Sequence, residues 1–264
     1  MSYSYPADSR LLDFDDWETP HECPMWGGAR RYAMYLEAKG EWPPPAPVFH
    51  VEGNSTLRRF CRHIWLEAHA KFGVVVIIEG FPGLSKSMKL YVFGRLLDAT
   101  FDIHRYVYDG EVFMETIKQK SPDGIPRVLG ADEAIGTFLF SRNWARGEQK
   151  NAVQDIWKHP RHNKWILFMV AQNAKGLDWV VRDDVARWYI KLRQRNPVTN
   201  ETLAELQHGV RVPIKAHSVG RWGYSSGDVT IFRPGGLFTI PAVSQDVVER
   251  YEEGRAIGVA DAVE

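Results

Sequence analysis

Two periodicities organise the apolar positions of this chain, and each marks a kind of element. Val74 to Ile78 is an unbroken run of β-branched residues, the pattern of a parallel strand covered on both faces. Before it, Leu57, Phe60, Cys61, Ile64 and Ala68 fall at helical spacing behind the capping residues Asn54 and Ser55, and predict a helix to about Lys71. Arg58, Arg59, Arg62 and Glu67 lie mostly off that face. An amphipathic stretch opens at Lys86 and continues through Met88, Tyr91, Leu96 and Leu97 to about Ala99. Ile103 to Tyr108 alternates like a strand, Glu111 to Gln119 reads as a helix, and Ser121 to Pro126 as a loop. Arg127 to Ala131 is a short apolar run ahead of adjacent acids, Trp165 to Asn173 is the next apolar strand, and Ala186 to Leu192 alternates as another. Between them, Gly147 to Lys158 carries the helical stripe Ala152, Val153, Ile156 and Trp157, and Leu177 to Asp184 reads as a short helix.

The ends differ from this middle. Residues 1–53 are rich in aromatics, acids and proline, with Glu41-Trp-Pro-Pro-Pro-Ala-Pro47 favouring an extended conformation, so they read as an N-terminal arm with a short helix near Ala29 to Ala38. Residues 54–195 form the core. Residues 196–264 are broken by glycine and proline into short β-rich runs at Val210 to Ile214, Asp228 to Phe232 and Gly236 to Ile240, with a last helix from Gln245 to Arg255. The predicted class is α/β with a mostly parallel central sheet in three layers, plus a β-rich C-terminal extension.

Composition narrows the field without choosing a function. In 264 residues, 44% hydrophobic and 25% charged, a sizeable core is expected and global disorder is excluded. Lys plus Arg and Asp plus Glu both number 33, so a polyanionic partner would have to be met by local clustering. The two cysteines, Cys23 and Cys61, make neither a disulfide framework nor a cysteine zinc cage, and Cys61 reads as core. His21-Glu-Cys23 has no second pair to complete a metal site. No run of eighteen or more apolar residues occurs and no charged-then-apolar leader opens the chain, so a cytoplasmic protein with no membrane segment is expected.

The chemistry enters at the end of the first strand. Gly80, Phe81, Pro82, Gly83, Leu84, Ser85, Lys86 and Ser87 follow it and lead into a helix. Gly80 and Gly83 let the backbone turn and approach a ligand closely, and Pro82 stiffens the turn. Backbone N–H groups at a helix N-terminus bind phosphate, a lysine there reaches the β/γ-phosphates, and a hydroxyl after it serves Mg²⁺. Lys86 and Ser87 supply the last two. Ser85 departs from the phosphate-loop pattern, which has glycine there, so the loop must close more tightly. The alternative is a glycine-rich turn with a chance Lys-Ser.

Two further strand ends carry polar groups of the expected kind. Arg127 to Ala131 runs into Asp132 and Glu133, where an aspartate would hold Mg²⁺ and a glutamate would polarise the attacking water. The strand Trp165 to Asn173 ends in two amides, Gln172 and Asn173, either of which would read the γ-phosphate; an amide capping a strand is the plain alternative. Arg182 is a candidate phosphate contact within or across subunits. Arg142, Arg146, Lys150, Lys158, Arg161 and Lys164 cluster between these strands, and Arg187, Lys191, Arg193 and Arg195 follow; they read equally as a nucleic-acid channel or as solvated faces.

This order of parts resembles P-loop ATPases of the FtsK–HerA branch, especially the zonular occludens toxin-like ATPases of phages and mobile elements. The matching pieces are Gly80 to Ser87, Ala131-Asp-Glu-Ala134, Arg161-His-Asn-Lys164 before an apolar strand, Gln172 at its end, Leu177-Asp178, and Gly236-Leu-Phe-Thr-Ile-Pro241 with Tyr251. The loop also resembles MoxR and MCM loops of the AAA+ class, but the tail lacks the helical lid that class needs. The resemblance implies a RecA/FtsK-like sheet with an additional strand, ATP and Mg²⁺ as cofactors, a homo-oligomeric ring, and movement of DNA in packaging, translocation or replication. Two other classes compete. A nucleotide-gated assembly or remodelling ATPase on a protein partner would suit the proline-rich arm, and a small-molecule kinase would need an arginine-rich lid that the chain lacks.

Overall fold

The computed structural model describes residues 38–40, 74–98, 100–122, 125–132, 159–160, 162–172, 186, 188–213 and 228–240, with single positions at 57, 60, 61, 64, 65, 67, 68, 242, 248, 249, 252 and 253. Its frame is one seven-stranded sheet in the order β2-β3-β4-β1-β5-β6-β7. The strands are β1 (Val74–Glu79), β2 (Tyr106–Val107), β3 (Arg127–Ala131), β4 (Trp165–Ala171), β5 (Trp188–Arg195), β6 (Thr202–Pro213) and β7 (Asp228–Ile240). Helix α1 spans Lys86–Leu97 and α2 spans Gly110–Lys118. The architecture is α/β with a mostly parallel sheet: β1 pairs in parallel with β4 and β5, and β3 with β4 and β2, while β5, β6 and β7 pair antiparallel.

Burial on both faces explains the apolar runs. Along β1, Val74, Val76 and Ile78 enter a cluster with Leu90, Phe93 and Leu97 of α1 and with Leu57, Phe60 and Ile64. Val75 and Ile77 point the other way, into a cluster with Phe113, Met114 and Ile117 of α2. Each face of β1 is therefore roofed by helical residues, and a polar residue on either face would be desolvated without a partner. The described positions from 57 to 68 are helical, and Leu57, Phe60, Cys61, Ile64 and Ala68 are buried as their spacing predicts. Burial drives the Cys61 thiol far above its ordinary pKa, as expected of an inert core cysteine. Glu67, expected off that face, is also buried; the Trp188 indole N–H donates to its Oε2 at 3.0 Å, tying the segment to β5.

Helix α1 packs so closely on the Phe101 ring and on β3 that two positions must lack a side chain. A Cβ on Gly94 would lie 2.3 Å from the Phe101 ring, and one on Gly130 of β3 would lie 2.5 Å from Leu90. The buried stripe of α1 is Leu90, Tyr91, Phe93, Gly94 and Leu97, with Met88 and Leu96 only partly covered. The helix stops at Leu97, short of the expected Ala99, and Asp98 caps it with its N–H on the Gly94 carbonyl at 2.8 Å.

Asp98 is the joint between α1, the turn that leads into β2, and β3. Its fully buried carboxylate accepts from the Thr100 N–H (3.0 Å) and hydroxyl (2.7 Å), from the Val128 N–H (3.3 Å), from Arg127 (2.9 Å) and from Arg105. Burial works against its charge, yet the Thr100 and Arg105 hydrogen bonds and the Arg105 charge prevail and hold its pKa below the usual carboxylate value. This joint corrects the expected strand over Ile103 to Tyr108. Ile103–Arg105 is a 3-10 turn from which Arg105 reaches back to Asp98, leaving only Tyr106 and Val107 to pair with Gly130 and Ala131.

The C-terminal strands extend the same sheet. β6 begins at Thr202, well before the expected Val210, because its pairing with β5 overrides the helix-favouring Leu-Ala-Glu-Leu sequence. β7 is continuous through Pro234, where a break was expected. Its place at the sheet edge tolerates a residue without an N–H, and the register shift at Leu206/Gln207 absorbs an extra residue beside Gly236. Val248, Glu249, Glu252 and Glu253 are helical, as the Gln245 to Arg255 pattern predicts. The N-terminal arm and the helices expected over 147–158 and 177–184 lie outside the described residues, apart from Ala38 to Gly40.

Candidate functional site at the strand ends

The sheet order gathers the candidate residues at one edge. β1, β3, β4 and β5 run parallel, so their C-terminal ends open on the same side. In an open α/β sheet that side is where ligands bind. Gly80 to Ser87 follows β1, Asp132 follows β3 and Gln172 follows β4. Gln172 comes one residue after the Glu79↔Ala171 pair, so it lies beside the start of the loop, and it is exposed.

The loop is built by backbone conformation. Gly83 has φ +87° and Ser85 has φ 53° and ψ 47°, both left-handed. Glycine adopts that region freely and serine does so at a conformational cost. A residue is left-handed at this position because the chain must turn there to start α1, which explains why the phosphate-loop pattern prefers glycine. Ser85 makes no side-chain cap; its carbonyl accepts the Lys89 N–H at 3.0 Å. Gly80 sits against β5, where a Cβ would come 2.9 Å from that of Leu192. Phe81 stands 77% exposed at the loop surface. Lys86 and Lys89 on the first turns of α1 are both buried. Burial, then the charge of Arg195, pushes Lys89 down to about 8, with Glu201 opposing.

The decisive contact joins loop and acid. Ser87 Oγ donates to the Asp132 carboxylate, 3.1 Å from Oδ1 and 3.0 Å from Oδ2. Asp132 is not on a neighbouring strand: β4 lies between β1 and β3. Helix α1 crosses over β4 and β3 and carries Ser87 to the acid. The Tyr106 hydroxyl, from β2, donates to Asp132 Oδ2 at 3.0 Å, a neighbour that its alternating strand pattern did not announce. The Asp132 N–H itself is held by the Val107 carbonyl at 3.1 Å.

A hydroxyl and a carboxylate in contact are hard oxygen donors of the type Mg²⁺ takes when it keeps several waters and bridges to phosphate. Ser87 and Asp132 therefore fit that ion, and they are too few to build an all-protein metal cage. Among the described residues no group of three or more His, Cys, Asp or Glu could hold a metal alone. Glu133, Asn173 and Arg182 lie outside the described residues, though Glu133 follows Asp132 directly in the chain. Of the basic residues after β4, Arg193 is bound to Glu205 and Arg195 Nη2 donates to Asn200 at 2.9 Å, so both are engaged within the β5–β6 hairpin. No helix among the described residues is long and apolar enough to cross a membrane.

Comparison with solved structures finds the N-terminal domain of zonular occludens toxin from Neisseria meningitidis, with 16% identity and a TM-score of 0.39 over 67% of this chain and 97% of that one. This is the group whose motif order the chain resembles. A second, EssC (ATPases 2 and 3) from Geobacillus thermodenitrificans, matches with 10% identity and a TM-score of 0.24 over 79% of this chain and 43% of that one. Both likenesses are distant in sequence and in shape. No family model and no curated protein matches the chain.

Proposed function

We propose that this protein is a Mg²⁺-dependent ATP hydrolase of the P-loop class, working as a homo-oligomeric ring on DNA. The observation that carries the hydrolase reading is the Ser87–Asp132 contact across an intervening strand. A chance Lys-Ser in a glycine-rich turn would have no reason to meet an aspartate from a strand two places away. In this reading the backbone from Gly80 to Ser87 and the Lys86 ammonium hold the phosphates. Ser87 and Asp132 hold Mg²⁺, which would neutralise charge on the phosphates. Glu133 orients the attacking water, Gln172 or Asn173 senses the γ-phosphate, and Arg182 completes a site within or across subunits.

The DNA and ring assignments rest on the resemblance stated above and on the basic residues between 142 and 164, of which Lys164 lies just before β4. The test is phosphate release from ATP and Mg²⁺ by the full chain, with and without single- and double-stranded DNA, beside Lys86→Ala and Glu133→Gln. Turnover stimulated by DNA and lost in both variants is expected. Turnover indifferent to DNA would reject DNA as the substrate in favour of a protein partner, and nucleotide binding without turnover under any condition would overturn the hydrolase. Light scattering with and without ATP tests the ring.

A further inference from the structure

We propose that Tyr106 is a positioning residue for the divalent cation, acting through Asp132; the proposal rests on the hydrolase reading above. Asp132 is a short acid at the end of β3, and its carboxylate plane is free to turn unless hydrogen bonds fix it. Two donors from different elements meet it: Ser87 from α1, and Tyr106 from β2 at 3.0 Å from Oδ2. Ser87 alone is a poor anchor, because its oxygen is also a candidate cation ligand and a bound ion would reorient it. The Tyr106 phenol donates without competing for the cation and brings no charge of its own, so it acts on the orientation of the carboxylate alone.

The ring holding that hydroxyl is itself fixed. Tyr106 is 2% exposed. It pairs with Gly130 in register, where an added Cβ would lie 3.4 Å from the Tyr106 ring, and its ring centroid is 5.0 Å from that of Tyr108. The short β2 strand, which pairs through only Tyr106 and Val107, thus places a rigid aromatic lever beside the acid and holds the Asp132 N–H through the Val107 carbonyl. Groups that orient a metal ligand from outside its first layer of contacts influence affinity almost as the ligands do, and their loss typically weakens binding about 10- to 100-fold.

The rival explanation is that Asp132 merely satisfies a buried phenol. Tyr106→Phe separates the two, since it keeps the ring and removes only the hydroxyl. The full chain and this variant should be titrated with Mg²⁺ at fixed concentration of a fluorescent, non-hydrolysable ATP analogue, reading nucleotide binding, with an EDTA arm and thermal unfolding alongside. We expect equal nucleotide binding in EDTA and a Mg²⁺ midpoint raised about tenfold or more in the variant. In an Asp132→Asn background, adding Tyr106→Phe should shift the midpoint no further. An unchanged or lowered midpoint in Tyr106→Phe overturns the positioning role and leaves the hydrolase reading intact. Failure of the unsubstituted chain to bind the analogue at all overturns both.

Discussion

Replacing Ser85 by glycine should stabilise the protein, which is an unusual expectation for a substitution inside a helix-initiating loop. Ser85 sits at φ 53° and ψ 47°. For an L-residue this left-handed region costs about 1–2 kcal/mol, because Cβ crowds the following carbonyl oxygen. Glycine removes that cost but gives up about 0.5–1 kcal/mol through the greater freedom of its unfolded chain. Little else is lost, since the side chain is exposed and makes no cap. The balance is a gain of up to about 1.5 kcal/mol, centred on about 0.8 kcal/mol. Urea unfolding without nucleotide should show a raised midpoint at unchanged slope. In a chain of this size the melting temperature should rise by about 2–4 °C per kcal/mol. Ser85→Ala is the control: it keeps a Cβ in the same conformation and should show no gain. A lowered midpoint for Ser85→Gly, or an equal gain for Ser85→Ala, would refute the strain reasoning.

Asp98→Ala should destabilise by about 3–5 kcal/mol, since it removes a fully buried carboxylate and leaves the mostly buried Arg105 and Arg127 without their shared partner; chemical unfolding measures it. The pH dependence has a definite sign. The folded carboxyl is held below its unfolded value, so its contribution is complete above about pH 4 and fades as pH falls through the lower folded value. Asp98→Asn should therefore show a flatter loss of stability with acid below about pH 4 than the unsubstituted chain. Gly94→Ala should cost about 1–3 kcal/mol or more, because its Cβ would stand 2.3 Å from the Phe101 ring; pairing it with Phe101→Leu should recover part of that loss if the clash is the cause, as a double-mutant cycle would show.

Much of the core was legible because its signals are local. A β-branched run needs two covered faces, glycine and proline mark a turn, and an apolar run ending in acids marks a strand end; β1, α1, β3 and β4 follow from residues adjacent in the chain. What the sequence could not show depends on partners far along it. The first half of β6 has helix-favouring residues and is a strand only because β5 offers a ladder, and the proline of β7 is harmless only because that strand lies at the sheet edge. Glu67 looks like a surface acid until Trp188, 121 positions away, supplies its donor. The same holds at the site. The sequence alone determined that a phosphate-type loop, an acid and an amide each end a strand. Only the tertiary structure decided that β4 would stand between β1 and β3, and that Ser87 and Tyr106 would both close on Asp132, 45 and 26 positions away. Local pattern specifies which face of an element is buried, whereas the choice of neighbour is made by the packing of the whole sheet.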